Sequence, residues 1–243
     1  MKLTTPFKAQ AEFEKDLKAF ANKHKTVMES HASRISDFFE MACYNLVISY
    51  YEYLGYRMEV QNLQGKRFRF KCSPNGKLVN FSYFKANKQS EDGTFEDVFF
   101  IYHNATVQSY YDDGVFTTPD IMISATDKSI ENKDYYDNKK VLTYIPNEAL
   151  ISFFEAKHLV PFPELMFNFI GTVHELMPKC IDSNMECDMG DHIAPSLMMS
   201  GPFGKATKNI KTAFEKRYTI NYLDNLINAS SIVFRMKILN KEE

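Results

Sequence analysis

Apolar residues recur at helical spacing in two segments near the start of the chain. Residues 7–30 carry apolar residues at helical spacing with charged residues between them, which predicts an amphipathic helix. The segment SRISDFFEMACYNLVISYYEYLGY, residues 33–56, is apolar around much of its circumference, so we expect it to form a buried helix. Gly55 suits a C-terminal cap, because helices commonly end with glycine in the left-handed conformation.

The middle of the chain follows the shorter period of β-structure. Residues 66–72 and 77–86 alternate around an SPNG turn, which predicts a hairpin. Two short apolar runs, 121–123 and 150–154, predict strands that enter the core. Between them the polar stretch 126–140 predicts an exposed excursion or loop.

The last third of the chain returns to helical spacing. PELMFNFIGTVHELM, residues 163–177, opens on Pro163 and is closed by Pro178, and an apolar run follows at 193–200. A basic helix is expected from about Lys205 to Tyr218. The order of elements predicts an α/β protein, with an N-terminal helical extension over residues 1–32 and one domain over 33–243.

Composition sets limits on function. The chain has 243 residues and a formal net charge of −2, so nucleic-acid binding would need a local basic patch. Four cysteines are too few for a disulfide framework in a chain of this length. There is no apolar stretch of about 20 residues and no apolar centre of a signal peptide near the start. We therefore expect a cytoplasmic protein with no membrane association.

Charged motifs stand at the ends of the two predicted core strands. Asp120 comes directly before the first run, and the second ends in Glu155-Ala156-Lys157. Side chains two apart on a strand share a face, so Glu155 and Lys157 lie together. Carboxylates from two core strands supply the oxygen ligands that Mg²⁺ prefers, and such an ion can activate a water and polarise a phosphoryl oxygen. A strand-entry aspartate and a surface ion pair are the plainer alternatives.

Pro119-Asp120 followed by Glu155-Ala156-Lys157 resembles the signature of the PD-(D/E)xK nuclease superfamily. The segment FFEMACYNLVISYYEYLGYRMEV is similar to the opening helix of Mrr-type restriction-endonuclease domains. In that comparison Glu40 falls on the family's helical acidic residue and Leu54-Gly55-Tyr56 on the helix exit. The similarity spans roughly residues 34–200, and the spacing between Asp120 and Glu155 is on the long side for the family.

The resemblance implies a restriction-endonuclease-like core of helix, three strands, helix and strand, with a mixed central sheet and extra N- and C-terminal helices. It also implies that Asp120, Glu155 and the Ala156 carbonyl bind Mg²⁺, with Mn²⁺ as a substitute. Lys157 would serve the attacking water, and Glu40 would orient a second ion or its waters. The expected activity is nucleic-acid hydrolysis, with DNA favoured, in a restriction or antiviral defence role.

The densest basic segment, GPFGKATKNIKTAFEKRY, offers a place for the substrate. Lys205, Lys208 and Lys211 recur every three residues, and Arg217 follows, so these four side chains are candidates for phosphate contacts. A solvated basic face explains the same pattern. Since the chain shows no specificity domain, we expect targeting through a homo-oligomer, a partner or a small activator.

Two other functions stay open. A non-catalytic nucleic-acid-binding or scaffold protein would keep the nuclease fold without its chemistry. A zinc-stabilised module is the second, because His174, Cys180, Cys187 and His192 lie in one stretch of the chain. The spacing of its two cysteines does not fit a zinc knuckle or ribbon.

Overall fold

The computed structural model describes residues 10–23, 27–29, 35–72, 76–89, 95–137, 140–182, 184–185 and 192–226. Within these residues there are four α-helices, numbered α1 to α4 in chain order. They are Gln10–Lys23, Ile35–Tyr53, Pro163–Leu176 and Lys205–Arg217. None of these helices is both long enough and apolar enough to cross a bilayer.

The same residues contain thirteen strands, numbered β1 to β13 in chain order. They are Val27–Glu29, Arg57–Gln61, Arg67–Arg69, Tyr83–Gln89, Phe95–His103, Val107–Gln108, Phe116–Thr117, Ile121–Ser124, Ile130–Asn132, Leu142–Tyr144, Leu150–Lys157, Ser196–Met199 and Asn221–Leu223.

Seven strands form one mixed sheet in the order β13-β12-β11-β8-β5-β4-β2. The strands from β2 to β11 pair antiparallel, whereas β11, β12 and β13 are parallel. The change to parallel pairing at β11 requires a crossover, and α3 supplies it between β11 and β12. The predicted α/β fold with a mixed central sheet is confirmed.

Helices cover both faces of this sheet. Alternate residues of β8 divide between two apolar clusters, because Ile121 and Ile123 pack with α2 while Met122 packs with α3. The rings of Tyr44 and Tyr51 on α2 are fully buried in the first cluster. Burial of both faces explains why β8 and β11 are continuous apolar runs rather than alternating ones.

The second helix ends as its sequence predicts. Gly55 has a φ of +90°, a conformation that a side chain at Cβ would disfavour. The amide of Tyr56 then donates to the carbonyl of Tyr51, which satisfies a carbonyl of the last turn. The chain continues directly into β2 at one edge of the sheet.

The N-terminal segment differs from its prediction. The helix expected over 7–30 ends at Lys23, and Val27–Glu29 is a strand parallel to β3. Leu17 of α1 is fully buried in the cluster formed by α2. Residues 30–34, which contain the expected domain boundary, lie outside the described residues, and that boundary stays a prediction.

The prediction of a hairpin between residues 66–72 and 77–86 is wrong, because the strands in these two segments do not pair with each other. β3 pairs with β1, whereas β4 pairs with β2 and β5. Alternation predicts that a segment is a strand, but it does not select the partner, and β2 matches β4 over five residue pairs. The polar stretch 126–140 contains β9, which pairs with β10 outside the central sheet.

Candidate active site at the ends of β8 and β11

The neighbouring strands β8 and β11 bring the predicted motifs together. Their register pairs Ile121 with Phe154, so Asp120 and Glu155 occupy the next position along the antiparallel pair. There Oδ2 of Asp120 accepts a hydrogen bond of 2.7 Å from the backbone amide of Ala156. The side chain of Asp120 thus continues the pairing between the strands by one residue before Ile121, the first residue of β8.

Lys157 joins the two carboxylates. Its Nζ lies 2.8 Å from Oδ2 of Asp120 and 2.8 Å from Oε2 of Glu155. The two carboxylate oxygens are therefore no farther apart than twice that distance. Glu155 and Lys157 share a face because they are two residues apart on one strand.

Glu40 approaches the same place from α2. Its Oε2 lies 3.4 Å from the side-chain nitrogen of Asn104, which follows β5. Its charge interacts with that of Asp120 and with that of Lys157. The structure therefore brings together the four catalytic candidates Glu40, Asp120, Glu155 and Lys157, from helix α2 and from the adjoining ends of β8 and β11.

The acidic groups repel one another in a partly desolvated place. Burial, followed by repulsion from Asp120, raises the pKa of Glu40 to about 7. The same causes, in the same order, raise the pKa of Glu155 to about 7. Lys157 opposes both shifts, but one ammonium does not balance three carboxyl groups.

Lys157 itself is held in its charged form. Burial alone would lower the pKa of its amine, but Asp120 and Glu155 outweigh burial and raise that pKa. A lysine of this kind acts as a hydrogen-bond donor and a fixed positive charge, rather than as a base. It is suited to a phosphate oxygen whose negative charge increases during reaction.

The donor set fits a hard divalent cation. Carboxylate oxygens such as those of Asp120 and Glu155 suit Mg²⁺ or Mn²⁺, which prefer oxygen ligands, better than a metal that prefers nitrogen and sulfur. The N–H and C=O groups of a strand residue point to the same side, so the Ala156 carbonyl faces Asp120. The excess negative charge of the site also favours a cation.

The described part of the chain contains no group of three or more His, Cys, Asp or Glu side chains arranged to hold a metal ion. An ion between Asp120 and Glu155 would depend on these two carboxylates, a backbone carbonyl and waters, a coordination that Mg²⁺ commonly adopts. Glu40 would then act on the waters of the ion, and not on the ion directly.

The basic helix α4 begins close to the C-terminal ends of β11 and β12, where the site lies. The amides of Ser200 and Gly201 donate to the carbonyls of Lys157 and Leu159, at 3.2 Å and 3.0 Å, so β12 ends beside β11. A Cβ atom at Gly201 would lie 2.8 Å from the Cα of Val160, hence this approach requires glycine. α4 then starts only four residues after Gly201.

The four basic candidates on α4 differ from one another. Lys205 and Lys208 are exposed. Lys211 donates 2.8 Å to Glu215 and also bonds the carbonyl of Tyr222, so its ammonium is used within the protein. The guanidinium of Arg217 is exposed and lies over the rings of Phe214 and Tyr218.

The zinc candidates do not come together. His192 packs on Tyr51 in the cluster under α2, whereas Cys180 is buried in the cluster under α3. His174 is exposed and stacks on Tyr111. Cys187 lies outside the described residues.

Sequence analysis missed a buried polar group behind Glu40. Lys71, His103 and Asn104 are each less than one tenth exposed, and all three adjoin the site. Nζ of Lys71 donates 2.6 Å to the carbonyl of Asn104. The only sequence signal was the pair of polar residues, His103 and Asn104, at the end of an apolar strand.

The comparisons with known proteins give no family, because no family model, curated protein or solved structure matches this chain.

Proposed function

We propose that this chain is a metal-dependent phosphodiesterase that hydrolyses nucleic acid, with DNA the favoured substrate. The observation that carries the proposal is the position of Lys157, 2.8 Å from a carboxylate on each of two adjacent strands. Two carboxylates that can bind a cation, beside an amine whose pKa they raise, form a set that can support in-line attack on a phosphodiester.

The topology supports the PD-(D/E)xK assignment. α2 precedes three neighbouring antiparallel strands, β5, β8 and β11, and α3 leads to β12, which is parallel to β11. This order is compatible with the helix, three strands, helix and strand that the resemblance implies, and β2 and β4 are additional strands of the same sheet between α2 and β5 in the chain. The β9–β10 hairpin lies between β8 and β11 in the chain, and it accounts for the long separation of Asp120 from Glu155.

Each side chain has a distinct task in the proposed reaction. Asp120 and Glu155 would hold a divalent cation, which when bound would supply an activated water and neutralise the charge on the leaving oxygen. Lys157 donates a hydrogen bond to a non-bridging phosphate oxygen and stabilises the negative charge that increases on it in the transition state. Glu40 accepts a hydrogen bond from a water beside the phosphate, and Lys205 and Lys208 contact the flanking backbone.

The direct experiment is incubation of the purified chain with circular DNA, linear DNA and RNA, with Mg²⁺ or with EDTA. We expect cleavage of DNA that requires Mg²⁺ and is absent from a Lys157→Ala variant prepared in parallel. Cleavage of the circular form would identify an endonuclease. Equal activity of wild type and variant would assign the cleavage to a contaminant and contradict the proposal.

A non-catalytic nucleic-acid-binding or scaffold protein is the second candidate. It is favoured by the Lys157 ammonium, which pairs with both carboxylates as a structural ion pair would. In that case DNA binding would survive in EDTA, and neither Mg²⁺ nor Mn²⁺ would bind between Asp120 and Glu155. The same incubation, followed by a binding assay, separates the two candidates.

A further inference from the structure

Asn104 stands where β5 ends and the chain turns away from the sheet. It has a φ of +51°, in the left-handed region, which asparagine tolerates better than most residues. Its backbone amide donates 2.9 Å to the carbonyl of Asp120. This bond extends the pairing of β5 with β8 by one step, to the residue that carries the site carboxylate.

The carbonyl of Asn104 is fixed as well. It accepts a hydrogen bond of 2.6 Å from Nζ of Lys71, a side chain that is 2% exposed. Both backbone groups of Asn104 are thus bound to neighbouring elements. The peptide units around this residue have little freedom to rotate, so the direction of its side chain is set by the fold.

The side-chain amide of Asn104 has two neighbours, and only one can accept a proton from it. Nδ1 of His103 lies 2.8 Å from the carbonyl of Lys71, so this nitrogen must carry the proton and donate. It therefore cannot accept from the Asn104 amide, although the two nitrogens are 3.2 Å apart. The amide is left to donate to Oε2 of Glu40, at 3.4 Å.

We propose that Asn104 is a positioning residue that holds Glu40 of α2 at a fixed place beside Asp120. The inference depends on the proposed function, because it assigns Asn104 to the same site. A half-buried carboxyl group that is repelled by Asp120 would turn away from it without a donor to hold it. Asn104 supplies that donor from a residue whose own backbone is bonded to Asp120, so one residue fixes both acidic groups.

The test substitution is Asn104→Gly, since glycine keeps the left-handed backbone and removes only the amide side chain. Binding of Mn²⁺ is measured by electron paramagnetic resonance, and cleavage is measured with Mg²⁺ and DNA. Glu40 is the second-layer group of the proposed metal site, where substitutions typically change affinity or activity by about 10- to 100-fold, and the loss of Asn104 should cost no more than the loss of Glu40. We expect losses of that size in Mn²⁺ affinity and in kcat, with KM for DNA unchanged.

Asn62→Gly is the matched control. Asn62 also has a left-handed φ, of +55°, and its amide donates to the carbonyls of Val79 and Phe81, at 2.6 Å and 2.8 Å. It follows β2, the edge strand, with β4 and β5 between it and β8. We expect the control to keep wild-type Mn²⁺ affinity and kcat, and an equal loss there would overturn the assignment.

A double substitution tests whether Asn104 acts through Glu40. If it does, Asn104→Gly added to Glu40→Gln should cost almost nothing more than Glu40→Gln alone. Additive losses would show that Asn104 acts by another route and would overturn the inference. Wild-type Mn²⁺ affinity and kcat in Asn104→Gly would also overturn the inference about Asn104, but they would not contradict the proposed function. A wild-type chain that neither binds Mn²⁺ nor cleaves DNA overturns both.

Discussion

Nζ of Lys157 lies 2.8 Å from Oδ2 of Asp120, although 37 positions separate the two residues in the chain. The contact depends on the antiparallel register of β8 and β11, which places each residue at the end of a strand buried on both faces. Asp120 is held at this end by the amide of Ala156 as well. The pair is therefore built into the sheet, unlike a mobile ion pair on the surface.

Lys157→Ala should lower the rate of DNA cleavage by at least about 100-fold, the usual cost of removing one donor to a charge that increases in the transition state. DNA affinity should change little, because most of that affinity comes from other phosphate contacts. Single-turnover cleavage with Mg²⁺ is the measurement. Lys128→Ala, at an exposed position on the loop after β8, is the control and should cleave at the wild-type rate.

Bound Mg²⁺ should stabilise the folded chain. A ligand at 100 times its Kd adds about 2.7 kcal/mol to the free energy of unfolding, which raises Tm by roughly 5 to 10 °C in a chain of this size. The increase should disappear with EDTA and in Asp120→Asn, which removes the charge that attracts the ion. Asp113→Asn, at an exposed turn, should keep it. Thermal unfolding by circular dichroism measures these shifts, and equal shifts in both variants would place the ion elsewhere.

The fold was predictable where one residue pattern decides the structure. Helix α2 is apolar around much of its circumference, strands β8 and β11 are continuous apolar runs with clear ends, and the burial of all three follows from these patterns. The partner of β4 was not predictable, because β2 and β3 both offer alternating residues. Only tertiary packing selects between them.

Only some residues of the candidate site could be predicted from the sequence. Asp120, Glu155 and Lys157 could be found because they stand at fixed positions relative to apolar strands. Asn104 could not, since its role depends on a left-handed φ and on contacts to three elements distant in sequence. The hydrogen bond from Lys211 to the carbonyl of Tyr222 was not predictable for the same reason. A stripe of lysines does not indicate which ammonium forms a hydrogen bond within the protein.

The salt dependence of DNA binding should depend on two lysines of α4. Lys205 and Lys208 are exposed, and removing one lysine–phosphate interaction lowers the slope of log K against log salt by about 0.9. The double variant Lys205→Gln, Lys208→Gln should therefore have a slope smaller by roughly two units and bind more weakly, with kcat unchanged at saturation. Titrations at several salt concentrations measure this.

Lys211→Gln is the control for that series. Its ammonium is bonded to Glu215 and to the carbonyl of Tyr222, so its removal should lower Tm and leave the salt slope as in wild type. A wild-type slope in the double variant would show that this helix is only solvated and that DNA binds at another surface.

His103 should make the folded chain sensitive to acid. Burial, together with the nearby charge of Lys71, lowers its pKa from 6.5 to about 4, although Asp120, Asp37 and the carbonyl of Lys71 oppose the shift. The unfolded chain thus binds a proton between pH 6.5 and pH 4 that the folded chain does not bind. The contribution of neutral His103 to the free energy of unfolding is complete above pH 6.5. It is lost as pH falls to 4, which lowers the free energy of unfolding by about 3 kcal/mol.

His103→Asn tests this origin, because the asparagine amide can replace Nδ1 as the donor to the carbonyl of Lys71 and does not titrate. Between pH 7 and pH 4 the variant should lose about 3 kcal/mol less free energy of unfolding than the wild type, as measured by urea titrations across that range. His174→Asn, at an exposed position, should follow the wild-type curve. If His103→Asn follows that curve too, the acid sensitivity does not arise from His103.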